Sequence, residues 1–239
     1  MALRECATRR AVIASLGRCT LSFSELISLY GTMYIQALLT TWSMTLVSFA
    51  CVMVVSIVIT VLRVSPIAPL RKVGDFYVQI FRNIPGISLL VICVYALPNL
   101  KVVLDYRECV IVTTVLIASA FGSANFMSGI NTIGVGQIEA ARSLGLSFMQ
   151  MLRLVVIPQA LRSAILPMTN LFIAVMLTTA LGSQVPLSPN ELTGLVSFIN
   201  TRSVGGIMPF MVSALAYALT AFVIGFAGDK LDKKVRIKR

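Results

Sequence analysis

Residues 26–62 read LISLYGTMYIQALLTTWSMTLVSFACVMVVSIVITVL, a run without a single Asp, Glu, Lys or Arg. A helix needs about 20 apolar residues to cross the roughly 30 Å hydrocarbon core of a bilayer, and this run is longer than that. Four further stretches lack charged residues as well: 83–100, 109–138, 163–190 and 203–228. The pattern predicts an all-α membrane protein with about five transmembrane helices, near residues 38–62, 76–99, 109–130, 164–183 and 208–228.

The composition of the whole chain supports this class and excludes several functions. Of the 239 residues, 57% are hydrophobic and only 12% are charged, whereas soluble domains average about a quarter charged residues. The chain has no histidine, which excludes Ser-His-Asp and Cys-His catalysis and His-ligated zinc or haem. It also has no Gly-rich phosphate-binding loop. We therefore expect a protein that is not an enzyme and holds no cofactor, with any nucleotide bound by another subunit.

The net charge of +11 is distributed along the chain in a way that predicts a topology. Basic residues flank the apolar stretches instead of lining an aromatic groove, which argues against nucleic acid as a partner. Twelve Lys and Arg residues follow the odd-numbered spans and three follow the even-numbered ones. The positive-inside rule then places the N-terminus outside and the C-terminus in the cytoplasm. Four arginines among the first 18 residues oppose this orientation. Either they cross with a short tail or the natural start lies further downstream.

These patterns divide the chain into three parts. Residues 1–37 are expected to form an N-terminal tail with an amphipathic interfacial helix near 22–36. Residues 38–228 are expected to form the transmembrane domain, which includes a cytoplasmic loop at 131–163. Residues 229–239 form a basic cytoplasmic tail.

The loop between the third and fourth spans reads GQIEAARSLGLSFMQMLRLVVIPQALRSAILP at residues 136–167. Strong helix formers fill Glu139 to Arg153, and Gly145 interrupts them. Pro158 follows and limits how far a helix can continue. The periodicity alone fits either an ordinary amphipathic linker or a short helix that contacts a partner at the membrane surface.

The spacing within this loop resembles a family signature. Glu139-Ala140-Ala141, Gly145 and the Ile157-Pro158 pair resemble the E-A-A-x-x-x-G-x(9)-I-x-L-P pattern of permease subunits of bacterial ABC importers. The resemblance implies a type I ABC importer permease fold, in which this loop forms a coupling helix that docks on a cytoplasmic ATPase. It implies Glu139, Ala140, Ala141, Gly145 and Pro158 as coupling residues.

The same resemblance implies the setting in which the chain works. It implies a multi-pass protein of the bacterial cytoplasmic (inner) membrane that moves its substrate by alternating access. The implied partners are cytoplasmic ABC ATPase subunits, an extracytoplasmic substrate-binding protein, and a second permease copy in a homodimer or heterodimer.

Further motifs extend the resemblance over residues 24–235 and suggest an amino acid substrate. Phe81–Pro85, FRNIP, resembles the F-R-G-T-P of polar amino acid permeases, and slightly more closely the F-R-S-I-P of methionine-type permeases. Leu166-Pro167-x-x-Asn170 and Glu191-Leu192-Thr193 resemble segments of the polar amino acid group. A methionine-type permease and a degenerate, non-transporting membrane scaffold remain the alternatives.

The resemblance and the polarity of the spans indicate four residues of the translocation path or gate: Arg82, Pro85, Asn125 and Asn170. Arg82 is expected near the cytoplasmic start of the second span, where it could equally be a snorkelling anchor. The two asparagines lie in apolar helices, where hydrogen bonding between helices is the simpler role.

The chain departs from the family where charges are expected. Ala124 and Met127 stand where relatives often carry an acid and an arginine late in the third span, and Leu177 replaces a basic residue in the fourth. Charges inside a membrane are costly and usually functional. Their loss predicts a less polar path, and hence a neutral or weakly polar amino acid in preference to a dibasic one.

Overall fold

The computed structural model describes residues 22–202 and 206–235. Most of the predicted N-terminal tail, residues 1–21, lies outside this range, as do residues 203–205 and the last four residues of the basic tail. Among the described residues, four helices are long and apolar enough to cross a membrane, and a bent helix pair raises the number to five. This agrees with the expected fold class.

Helix α1 runs from Phe23 to Val64 without a break. Its first turn is closed by a capping box, in which the Ser22 Oγ accepts a bond from the Glu25 backbone N–H and the Glu25 carboxylate accepts one from the Ser22 N–H. At 1.5 Å per residue its 42 residues span about 63 Å, twice the thickness of a bilayer core. The segment 22–36, expected as a separate interfacial helix, is therefore continuous with the first span.

The second span is bent, which corrects the straight helix expected over 76–99. Helix α2 covers Ala68–Asn83 and helix α3 covers Gly86–Val91, and α3 continues as a π turn and a 3₁₀ turn to Leu100. The two parts meet at an angle of 101°. Pro85 explains the bend, because a residue that precedes proline avoids the helical region, and Ile84 is extended with φ −85° and ψ 128°.

Helix α4, Tyr106–Ile130, packs closely against α1. The Ser56 Oγ donates to the Ser119 carbonyl at 3.2 Å, and the Thr60 hydroxyl donates to Ser123 at the same distance. A Cβ placed on Gly122 would collide with Ser56. Small residues thus let the two helices approach and bond within the membrane.

The remaining elements follow in chain order. The loop between the third and fourth spans contains α5 (Val135–Ser143), α6 (Phe148–Met151), a π turn at Leu152–Val156 and α7 (Ile157–Ser163). The last two spans are α8 (Ile165–Thr178), which is extended by a 3₁₀ turn to Gln184, and α10 (Met208–Val235). Between them lies α9 (Leu192–Arg202).

Helix α9 lies between the fourth and fifth expected spans, in a segment to which the sequence analysis assigns no helix. Its buried residues Leu192, Leu195 and Ile199 form a hydrophobic cluster with Leu26 and Tyr34 of α1. Their spacing is a helical signal that was present in the sequence. The cluster gives the first turns of α1 a packing partner, which explains why they continue the span as one helix.

Candidate coupling loop and translocation face

Gly145 ends helix α5 in the loop between the third and fourth spans. Its φ of +74° lies in the left-handed region that glycine adopts without strain. The Gly145 N–H donates to the Arg142 carbonyl at 2.9 Å, and the Leu146 N–H donates to the Ala141 carbonyl at 3.2 Å. This pair of bonds is the Schellman motif, which satisfies carbonyls that a helix end would leave unpaired. The helix break expected at Gly145 is present.

The loop has one face buried and one exposed. Ala141, Met151 and Leu152 are buried in a cluster that also contacts Val61 and Val64 at the end of α1. Exposed residues cover the other face, including three with large apolar side chains and three of the predicted coupling residues: Val135, Glu139, Ala140, Leu144, Gly145 and Met149. The loop is thus fixed to the first span and presents an apolar surface outward.

Pro158, the last predicted coupling residue, lies in the first turn of α7 and is half-buried. Proline cannot donate an N–H to the carbonyl four residues earlier, and its ring crowds that carbonyl. The π turn at Leu152–Val156 directly precedes it and widens the helix where the ring must fit. Pro158 therefore shapes the return of the loop toward the membrane, whereas Glu139 and Gly145 lie on its outer surface.

Helix α2 brings Arg82 deep into the transmembrane region. Gly74 packs against Arg63 near the C-terminal end of α1. One turn later the Tyr77 hydroxyl bonds to Ser119 at 2.8 Å and to the Leu116 carbonyl at 3.0 Å. Both partners lie in the middle of α4, so α2 climbs into the bilayer alongside α1.

Arg82 ends this climb at the bend. Its guanidinium carbon lies 5.0 Å from the centre of the Phe121 ring. Phe121 is nine residues from the end of α4 at Ile130 and fifteen from its beginning at Tyr106, which correspond to about 14 Å and 22 Å of helix. Arg82 therefore lies beside an inner turn of α4 and not level with the end of that helix. Helix α2 already packs on α1 at Gly74, before the start of the span expected at residue 76.

Two other predicted path residues, Asn125 and Asn170, lie on the adjacent helices α4 and α8. Asn125 lies one helical turn from Phe121, and its Nδ2 donates to the Pro167 carbonyl at 3.1 Å. Asn170 is three residues beyond Pro167, on the neighbouring position of α8, and is exposed. The half-buried Asn125 thus makes the hydrogen bond between helices that was the simpler role expected for it. Arg82, Pro85 and Asn170 are exposed.

Uncharged residues surround this surface, which we call the translocation face and define by Arg82, Phe121, Asn125 and Asn170. Ala124 and Met127 are half-buried, and Leu177 is 49% exposed. The one ion pair among the described residues lies elsewhere, between Arg63 and Asp75 at 2.9 Å. Arg82 thus has an aromatic ring, but no described carboxylate, as its partner.

A cavity of about 310 Å³ lies between α1, α8 and α10 and adjoins this face at Met168, whose Sδ is 3.9 Å from the Asn125 Nδ2. None of the predicted path residues lines it. Apart from Thr169, the lining residues are apolar or are glycine: Phe49, Met53, Phe126, Leu161, Ile165, Met168, Phe172, Ile224, Ala227, Gly228 and Leu231. It offers no polar group beyond one hydroxyl to a zwitterionic solute.

Glu191 is a buried acid that the sequence analysis did not single out as functional. Its carboxylate accepts bonds from the Thr193 N–H at 2.6 Å, the Gly194 N–H at 2.5 Å and the Tyr217 hydroxyl at 3.2 Å. Burial raises the pKa of Glu191 above its ordinary value, although these hydrogen bonds oppose the shift. The residue caps α9 and links it to α10.

Comparison with known proteins identifies the chain's family. The binding-protein-dependent transport system inner membrane component family matches residues 62–237. The chain belongs to this family. It is 30% identical to the glutamate transport system permease protein GluC of Corynebacterium efficiens over 87% of this chain and 96% of that protein. It is 32% identical to the probable glutamine ABC transporter permease protein GlnP of Bacillus subtilis, over 72% of this chain and 79% of that protein.

Solved structures of transporters share the fold of this inner membrane component. A chain in the crystal structure of an amino acid ABC transporter with histidines superposes with a TM-score of 0.81 and 22% identity, over 90% of this chain and 99% of that chain. The inward-facing MetNI methionine ABC transporter gives a TM-score of 0.75 and 24% identity, over 91% and 100%. The type I importer permease fold expected from the sequence is confirmed.

Proposed function

We propose that this inner membrane component is the permease subunit of an ATP-driven importer for amino acids. The observation that carries the proposal is the cytoplasmic loop, whose signature residues Glu139 and Gly145 lie on an exposed surface while its other face packs on the first span. The glutamate and glutamine permeases among its relatives support an amino acid as the substrate class.

The loop transmits movement because it is packed on the spans. Its buried face contacts Val61 and Val64 of α1 and Ile130 of α4, the two helices that form the close central pair. Docking of a cytoplasmic ATPase on the exposed face would let closure of that ATPase displace both helix ends together. ATP is hydrolysed on the partner, and this chain makes and breaks no covalent bond.

A second permease copy completes the path. A guanidinium cannot face hydrocarbon without a large free-energy cost, and Arg82 is exposed in the single chain. The translocation face must therefore meet water, substrate or another protein. Two copies that face each other across this surface would enclose an aqueous route, to which an extracytoplasmic binding protein delivers the substrate.

The orientation follows from the charge distribution and is directly testable. We propose that the C-terminal end of α10 is cytoplasmic and that the connection between α3 and α4 is external. In a background without native cysteines, Val103→Cys should react with an impermeant thiol reagent on whole cells, with the outer membrane made permeable if one exists, whereas Lys234→Cys should not. Labelling of Lys234→Cys alone would invert the topology.

Uptake assays test the transport function and its substrate. The uncharged Ala124, Met127 and Leu177 favour a neutral or weakly polar amino acid over a dibasic one. Unlabelled glutamine should therefore compete for uptake better than arginine or lysine, and exclusive competition by the dibasic amino acids at micromolar concentration would contradict this specificity. Exclusive competition by methionine would support the methionine-type alternative.

The scaffold alternative predicts a different behaviour of the purified complex. Hydrolysis of ATP by the permease with its ATPase should rise when amino acid and binding protein are added. Hydrolysis that does not respond to either would support a scaffold that keeps the docking loop and has lost the substrate site.

A further inference from the structure

Arg82 carries a charge in the membrane that the described part of the chain leaves uncompensated. It lies about 14 Å of helix from the end of α4 at Ile130, beside Phe121, and its side chain is exposed. Phe121 provides a cation–π contact, which attracts the guanidinium but does not neutralise its charge. Arg63, by contrast, has Asp75 as its partner.

Charged groups inside a membrane pair with one another or mark the route of a substrate or ion. The guanidinium presents a planar fork of N–H donors that matches a carboxylate, with two parallel hydrogen bonds. Asn125 and Asn170 of the translocation face, and Ala124 beside it on α4, carry no charge. A passing anion would therefore meet a positive site without a competing acid from the described residues.

We propose that Arg82 binds the α-carboxylate of the transported amino acid at the bend of the second span. This inference rests on the proposed transport function and adds a substrate contact to it. The α-amino group of the substrate would donate hydrogen bonds to carbonyl and amide oxygens of the second copy or to water. A cationic side chain would be repelled by the same guanidinium, which supplies a cause for selection against dibasic amino acids.

The first test measures the charge of the site without any substrate. Ala124→Cys, one helical turn from Phe121, is introduced into the full complex in a background without native cysteines. The measured quantity is the rate of modification by an anionic methanethiosulfonate reagent divided by the rate with a cationic one. This ratio should be at least several-fold higher with Arg82 present than in the same protein with Arg82→Gln. Equal rate ratios in the two proteins would show that Arg82 does not set the field there, and would overturn the proposal.

The second test measures recognition of the carboxylate. The purified permease–ATPase complex that carries Ala124→Cys is used without the binding protein. L-glutamine and L-methionine, and their α-carboxamide forms, are tested for how far they slow modification of this cysteine by the thiol reagent. With Arg82 present, at least one of the two amino acids should protect at concentrations at least tenfold lower than its amide. Arg82→Gln should abolish this difference and Arg82→Lys should retain part of it. Equal protection by acid and amide would overturn the proposal.

Controls separate charge recognition from packing and from the transport function itself. Phe121→Leu removes the aromatic contact but keeps the guanidinium, so preference for the acid form should survive. Co-purification of the ATPase should be unchanged in all variants, because Arg82 lies away from the coupling loop. If uptake of amino acids is observed but acid and amide protect equally, only the carboxylate contact fails. If no amino acid protects or is taken up, the transport function fails and the inference fails with it.

Discussion

Substitution of Gly145 by aspartate should uncouple the permease from its ATPase while leaving the membrane domain intact. A Cβ added to Gly145 meets no atom within 4 Å, so the side chain fits within this chain. The backbone cost comes from the φ of +74°. Left-handed backbone costs an ordinary residue about 1–2 kcal/mol, and aspartate and asparagine tolerate it better. Because the loop lies outside the bilayer, we expect normal amounts of the variant in membranes.

The cost in the assembled complex should be much larger. An unpaired carboxylate buried in a protein–protein contact costs about 3–5 kcal/mol, and each 1.4 kcal/mol weakens binding about tenfold. Association with the ATPase should therefore weaken more than a hundredfold. Co-purification of the ATPase, substrate-stimulated hydrolysis and uptake should all be lost at equal expression.

Two controls isolate the charge at the docking surface. Gly145→Asn has the size of aspartate and tolerates the same backbone, so it should retain far more association. Lys234→Asp changes the charge by two units at an exposed site of α10 outside the loop, and it should have little effect. Normal ATPase association and transport in Gly145→Asp would refute the coupling assignment and remove the main support for the importer function.

Three further predictions concern stability, measured as the melting temperature of the purified protein. Gly122→Ala should destabilise the packing between α1 and α4 by about 1–3 kcal/mol, whereas Gly225→Ala, which has open space around its Cβ, should be neutral or stabilising. Because burial raises the pKa of Glu191 above 4.5, the folded protein binds this proton more tightly than the unfolded chain does. Stability should fall as pH rises from 4.5 through the raised pKa, and Glu191→Gln should flatten that fall, while an unchanged slope would show that other groups cause it. Asp75→Asn should cost about 1 kcal/mol or less, since its pair with Arg63 is partly exposed, and a larger loss would reveal a further role.

The membrane class, the approximate number of spans and the helix break at Gly145 were predictable from the sequence because each depends on a local pattern. A run of uncharged residues long enough to cross a bilayer has few stable alternatives. Gly145 could be placed at a helix break because the preference of glycine for left-handed backbone is a property of the residue itself. Helix α9 has an equally local signal in the spacing of Leu192, Leu195 and Ile199.

The depth of Arg82 and the continuity of α1 were decided only by the tertiary structure. Hydropathy reports whether a segment can enter a membrane, but not where a neighbouring helix allows it to begin. Helix α2 packs on the spans earlier than its polarity suggests because Gly74 fits against Arg63 and Tyr77 finds hydroxyl and carbonyl partners on α4. The first turns of α1 continue the span because Leu26 packs on α9, more than 160 residues away in the chain. Contacts of this kind join residues that no local pattern connects, so the sequence alone could name Arg82 but could not place it beside an inner turn of α4.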